Sequence, residues 1–323
     1  MAGDSQGGLR WAGAPLGDWV QAARLRTLPL AAATAMVGAA LGARALHRAG
    51  DPLDARYWGT FVGVLLTVWV LQVLSNFAND YGDAANGADG AHRPDRAVAS
   101  GRIAPRAMKR AIVLTAVKAV GLGVATVAWA TWGTMAIGAA LGWVAAGLVS
   151  IAAAYRYTAG KNPYGYGGWG DLSVLIFFGW LGVVGTAVLT SGGRFDVGWF
   201  LPATFVGAMG MAVLNLNNMR DVEGDAAAGK RTWATRLGHR GSRWYHTVLL
   251  AGGWVALWTY LGWWDLGGWR GGMWIALLGL VYAKHLGFVW SANPPQALDG
   301  ELKKVALATA VVALFLLLAQ TQI

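Results

Sequence analysis

The sequence predicts an all-α polytopic membrane protein of about nine transmembrane helices, on three observations. Of its 323 residues 56% are hydrophobic and 13% charged, whereas an average soluble domain is about 25% charged. Apolar stretches close to the roughly 20 residues that cross a hydrocarbon core recur nine times. The Lys and Arg side chains gather in alternate loops, 19 of the 26 on one face, 5 on the other and 2 within apolar stretches.

Residues 1–17 are Gly-rich and too polar for a signal-peptide core, so they are expected to form a disordered tail ahead of a single membrane-embedded domain over 18–323. Residues 18–27 put Trp19, Val20 and Ala23 on one side of a helix and Gln21, Arg24 and Arg26 on the other. That pattern suits an interfacial helix lying on the membrane surface. Spans are expected at 29–47, 57–80, 107–129, 134–154, 171–190, 197–219, 244–263, 270–290 and 302–320. The pairs Gly38/Gly42 and Gly138/Gly142 read as close helix-packing contacts. Lys284 is expected to snorkel, His285 to sit at the interface, and Lys118 has no evident role.

The basic residues put the N-terminus in the cytoplasm of a cell-membrane protein. They also account for the net charge of +10, so no nucleic-acid partner is implied. With no Cys in the chain, disulfides, thiolate nucleophiles and Cys-ligated metals are excluded.

The same parity brings the ends of the second, fourth and sixth spans to one face, and each carries a polar motif. The first is Asn76-Phe-Ala-Asn79-Asp80-Tyr81-Gly82-Asp83, followed by Asp89, Arg93 and Arg96. The second runs from Tyr155 through Tyr157, Lys161, Tyr164 and Tyr166 to Asp171. The third is Asn215-Leu-Asn217-Asn218-Met-Arg220-Asp221-Val-Glu223-Gly224-Asp225, with Lys230 beyond it. Residues 76–87 and 218–229 align at a constant offset, which points to an internal pseudo-repeat.

Carboxylates at the C-terminal end of a helix sit against its negative dipole end and need a positive partner. Asn76, Asn79 or Asp80, and Asp83 share one helix face by spacing, as do Asn217, Asp221 and Asp225. Two such faces would form an oxygen-lined basin suited to magnesium, which takes one or two carboxylates and completes its shell from water and phosphate. Arg93, Arg96, Arg220 and Lys230 are the bases for a bridged diphosphate. A diphosphate at a membrane-buried site implies a lipid chain attached to it. Metal coordination makes the diphosphate a leaving group, and the faces of Tyr155, Tyr157, Tyr164, Tyr166, Trp169 and Tyr81 could stabilise the resulting allylic cation.

The plainer readings are solvated loop polars, an interfacial aromatic belt, and N-capping of the fifth span by Asp171 rather than action on the acceptor hydroxyl. A transporter is the reading from a different functional class, but transporters place their charges at midplane.

These motifs resemble those of the UbiA superfamily of intramembrane prenyltransferases. The strings NDYGDAANGAD at 79–89, YT-x-G-x-x-PYGY-x-G-x-GD over 157–171, and NNMRD followed by GKRTWATRLG resemble its branch acting on 1,4-dihydroxy-2-naphthoate in menaquinone synthesis. The resemblance implies a ring of nine spans around a central cavity with a lateral opening for an isoprenoid tail. It implies a polyprenyl diphosphate donor, loss of diphosphate and carbon dioxide, and demethylmenaquinol as product. Two magnesium ions would bridge the diphosphate, one on Asn76, Asn79, Asp80 and Asp83 and the other on Asn217, Asp221 and Asp225. Arg93, Arg96, Lys161 and Lys230 would contact the diphosphate, with Tyr157, Tyr164, Tyr166, Asn218 and Arg220 near the substrates and Asp171 and Tyr157 as catalytic candidates. Gly87 stands where the general superfamily has a third Asp, which leaves the role of Asp89 open. A sibling using 4-hydroxybenzoate or homogentisate is the competing assignment.

Overall fold

The structure, a computed structural model, describes residues 10–88, 96–263, 268–293 and 295–321. The helices are α1 (Leu16–Ala23), α2 (Leu28–Ala49), α3 (Ala55–Ala85), α4 (Pro105–Thr131), α5 (Ile137–Arg156), α6 (Gly170–Val174), α7 (Gly185–Thr190), α8 (Phe200–Arg220), α9 (Val222–Ala227), α10 (Trp233–Trp263), α11 (Gly268–Ser291) and α12 (Asp299–Thr321). A π-helical stretch, Leu175–Val184, joins α6 to α7 as one span. Among the described residues seven helical segments are long and apolar enough to cross a membrane. α10 and α11 occupy the places of the seventh and eighth expected spans.

α2 is the hub, packing against α3, α7, the π stretch and α12, while α8 packs against the π stretch, α10 and α12. In a bilayer, lipid tails are as apolar as Leu, so association depends on close packing. α2 supplies it with Ala31, Ala33, Ala35, Ala39 and Ala43, none of which keeps accessible surface. A Cβ on Gly38 or Gly42 would run into Thr186 or Thr190 of α7, as the packing motif requires. Gly138 and Gly142, expected to behave alike, have nothing within 4 Å of where a Cβ would sit. α5 has no fully buried residue, and its small residues Ala146, Gly147, Ser150 and Ala153 line a cavity or groove instead of gripping a neighbour.

Two further side chains differ from expectation. Trp19 of α1 is buried against Phe77 of α3, with ring centroids 5.8 Å apart, so this face of α1 docks on the protein. His285 lies in the interior, because its Nε2 meets Nε2 of His246 at 2.9 Å and its Nδ1 meets Oε2 of Glu301 at 2.5 Å, which ties α10, α11 and α12 together. Lys118 is exposed on α4.

Candidate active site

The last turns of α3 place Asn76, Asn79 and Asp83 on the wall of a cavity of about 260 Å³. Asp80 faces away from it. Its two oxygens accept the backbone N–H groups of Ala97 at 3.1 Å and Val98 at 3.2 Å, and the side chain is buried. It thereby clamps the turn that brings the Arg96 guanidinium to 3.2 Å from Asp83 Oδ2. Asp80, expected beside Asp83 as a metal ligand, has both oxygens committed to that turn. Asn76 lines the cavity with its amide tied to the Ala23 carbonyl at 2.8 Å and its Oδ1 accepting from Gln72 at 3.3 Å.

The second acidic motif starts where α8 stops. Asp221 leaves helical geometry and α9 follows. Arg220 donates to both Asp221 oxygens, from Nε at 2.8 Å and from Nη2 at 2.7 Å, and from Nη2 also to Asn217 Oδ1 at 2.8 Å. The two motifs meet at Lys230, whose Nζ lies 3.1 Å from Asp83 Oδ1 and 3.2 Å from Asp225 Oδ1. Tyr166 donates its hydroxyl to Asp83 at 2.7 Å and lays its ring 4.8 Å from the same ammonium.

The two acidic motifs end alike. Gly87 and Gly229 both take left-handed φ, +71° and +72°. Ala88 N–H bonds to the Asp83 carbonyl and Lys230 N–H to that of Asp225, each at 2.9 Å, closing the helix ends. The caps fix where each carboxylate leaves its helix.

Burial pushes the Asp225 carboxyl above the usual carboxylate range, with the Lys230 charge pulling part of the way back. For Lys230 itself burial works against the charge, and Asp83 and Asp225 together outweigh it, so its ammonium is held above the ordinary lysine value. Burial raises the Tyr157 phenol, with the negative charge of Asp171 adding to it, so the ring stays neutral.

The Tyr155–Asp171 loop closes the cavity. Thr158 donates to Asn79 Oδ1 at 3.0 Å, and Asn86 donates to the Thr158 carbonyl at 2.9 Å. A Cβ at Gly82 would come within 2.6 Å of the Thr158 backbone, so only glycine allows this approach of loop to helix. Tyr157 and Tyr164 meet edge to face at 5.5 Å and line the cavity with Tyr166. Tyr155, Lys161 and Trp169 are exposed outside the cavity lining. Asp171 is buried away from the lining and accepts the Tyr245 hydroxyl at 2.9 Å. It caps no helix, since α6 begins with no side-chain cap. Asn217, Asn218 and Asp221 line the cavity, while Asp89 and Arg93 lie outside the described residues.

Arg24 is the cavity residue that sequence reasoning placed elsewhere. It lines the wall, and among the described residues it forms no ion pair. It adopts left-handed φ +50° and ψ +56° where α1 ends. A non-glycine residue there carries strain, which tends to concentrate at functional sites. The available signal was its position at the foot of the first span, next to a Thr27 that also faces the cavity.

No three acidic or histidine side chains converge on a single point among the described residues. The donor set is instead split, with Asp83 and Asn79 on one wall and Asn217, Asp221 and Asp225 on the other. This fits a hard cation that takes few protein ligands and fills its shell from phosphate and water. Beyond Val68, Leu71, Ser150 and Phe177 the cavity continues into an apolar groove of about 150 Å³ between α3, α4, α5 and the π stretch. Val120, Val124 and Leu148 on its walls are also exposed on the outer surface, so the groove opens sideways.

Comparison with known proteins is consistent with this geometry. The model of the UbiA prenyltransferase family matches residues 31–300. The 1,4-dihydroxy-2-naphthoate octaprenyltransferase of Escherichia coli is 43% identical over 241 residues, 74% of this chain and 74% of that protein. Its namesake from Haemophilus influenzae is 38% identical over 91% of this chain and 92% of that protein. The solved structure of a UbiA homolog from Aeropyrum pernix superposes with a TM-score of 0.65 at 16% identity, covering 92% of this chain and 97% of that one.

Proposed function

The chain belongs to the UbiA prenyltransferase family, and on that premise we propose that it transfers a polyprenyl group from polyprenyl diphosphate to 1,4-dihydroxy-2-naphthoate, releasing diphosphate and carbon dioxide and giving demethylmenaquinol. The observation that carries this reading is the meeting of Asp83 and Asp225, from two separate motifs, on Lys230 at the head of a cavity that turns apolar along its length. Charge at one end and hydrocarbon at the other describe a lipid diphosphate. The acceptor is taken from the named activity of the bacterial relatives.

Asp83 with Asn79, and Asp221 and Asp225 with Asn217, would hold magnesium. Bound there, the metal would draw electron density from the diphosphate and make it a better leaving group. Lys230 and Arg96 meet the diphosphate oxygens, and Arg24 offers a further cation to an anionic group of either substrate. The faces of Tyr157 and Tyr164, with Phe177 and Phe178 from the π stretch, stand at the start of the apolar groove, where an allylic cation would form. The electron-rich naphthalene ring attacks that cation. The carbon-oxygen bond has then already broken, its electrons leaving with the diphosphate; the ring carbon that carries the carboxylate bonds the cation, and loss of carbon dioxide returns the electrons of its carbon-carbon bond to the ring. The prenyl chain runs along the groove toward lipid.

The gathering of Lys and Arg in the loops at this end supports a site on the cytoplasmic side of the plasma membrane.

The test is turnover by purified protein with magnesium, a polyprenyl diphosphate, and either 1,4-dihydroxy-2-naphthoate or 4-hydroxybenzoate, with products identified by mass. We expect a prenylated product lacking the carboxyl group from the naphthoate alone. Product from 4-hydroxybenzoate alone would overturn the acceptor, and EDTA-insensitive turnover would overturn the metal role.

A further inference from the structure

The last helix reaches the site through a residue that belongs to neither acidic motif. Asp299, the first residue of α12, accepts Arg26 Nη1 on Oδ2 at 2.9 Å and Arg220 Nη1 on Oδ1. Arg220 directs its Nε and Nη2 donors to Asp221 and Asn217 on the cavity wall. One guanidinium is therefore divided between a carboxylate in the cavity and a carboxylate outside it. The Asp299 side chain is 46% exposed and does not line the cavity, whereas Arg220 and Asp221 are nearly buried.

We infer that Asp299 is a positioning residue for Asp221, anchoring Arg220 so that Asp221 can turn its oxygens toward a divalent cation. This rests on the magnesium reading above. A carboxylate forked by arginine keeps one further lone pair on each oxygen, so a metal taken there sits beside the guanidinium or displaces one of its bonds. At that moment the guanidinium is a like charge beside the cation. Asp299 supplies the second anion that keeps Arg220 neutralised and in place. Without it the whole guanidinium charge falls on Asp221, and the metal competes with an undivided partner. Arg26 pulls on the other Asp299 oxygen and so weakens its hold on Arg220.

The experiment uses the full chain in detergent, with Mn²⁺ binding followed by electron paramagnetic resonance and the Mg²⁺ dependence of turnover measured alongside. Asp299→Asn should bind Mn²⁺ about tenfold more weakly and need about tenfold more Mg²⁺, the size expected for removing an outer partner of a metal ligand. Saturating Mg²⁺ should restore its turnover, and Asp299→Glu should recover the affinity. Arg26→Gln should move affinity the opposite way, by about twofold because that pair is solvent-exposed. A purely structural tie would lower thermal stability in both variants without opposite shifts in metal affinity. Unchanged Mn²⁺ affinity in Asp299→Asn, or a shift of the same sign in Arg26→Gln, overturns the inference. If Asp299→Asn does not fold, the sign of the Arg26→Gln shift decides alone. Wild-type protein that binds no Mn²⁺ and ignores chelation would instead overturn the magnesium reading.

Discussion

Asp80 and Asp83 are three residues apart on α3, yet their surroundings divide their work. Asp83 faces three donors, Tyr166, Lys230 and Arg96, at the head of the cavity. Asp80 faces two backbone N–H groups behind the wall. Asp83→Asn should therefore lower turnover at least about a hundredfold in the protein that still folds, on the scale of losing one preorganised charge. Asp80→Asn can still accept one of its two bonds. It should cost about 1–3 kcal/mol of stability, the price of a buried donor left unmade, while the protein that remains folded keeps measurable activity. Thermal unfolding beside kcat separates the two, and equal effects in both variants would refute this division. Both residues were legible as an acidic motif. Which of them faces the cavity was not, because Asn76, Asn79, Asp80 and Asp83 form a stripe wide enough to reach both the cavity and the turn behind it.

At the scale of elements, length and hydropathy located seven of the nine expected spans among the described residues, each a long apolar run. Alternation of basic loops then brought the three motifs to one end, where the structure also finds them around one cavity. Two features escaped this reasoning. The fifth span is apolar all round, so no periodicity marks the π stretch that aims Phe177 and Phe178 into the cavity. That stretch is supported by Thr34 of α2, which donates to the Phe178 carbonyl at 3.1 Å, a contact between elements far apart in sequence. The docking of α1 was equally hidden, since an amphipathic helix reads the same whether its apolar face meets lipid or Phe77. Gly82 tests the packing of loop on helix. Gly82→Ala should destabilise the protein by about 1–3 kcal/mol, as overpacking does, and should lower turnover by loosening the loop that carries Tyr157 and Tyr166. Limited proteolysis within 157–169 offers a direct check, and an unaltered cleavage rate would count against the contact.

For the whole molecule, the acidic and basic groups are confined to one end of a cavity whose other end is hydrocarbon. The titration of that end should appear in the pH dependence. Because burial raises Asp225, its protonation begins at higher pH than that of an ordinary carboxylate, near about 4. Protonated Asp225 cannot ligate a cation. Half-saturating Mg²⁺ should therefore rise as pH falls while the pH is still above the ordinary carboxylate range. Lys230 is held protonated by Asp83 and Asp225, so it contributes no loss on the alkaline side below the ordinary lysine range. A plot of half-saturating Mg²⁺ against pH tests this, and a flat line down to pH 4 would contradict it.

α5 buries none of its residues and its glycines touch nothing. With Val120, Val124 and Leu148 exposed along its walls, the apolar groove is an open trough and not a pipe. A prenyl chain can then be laid in from the bilayer along its whole length, and after reaction the product can roll out the same way without its tail meeting water. In a trough, the number of isoprene units decides how much chain hangs into the lipid, and places no ceiling on what fits.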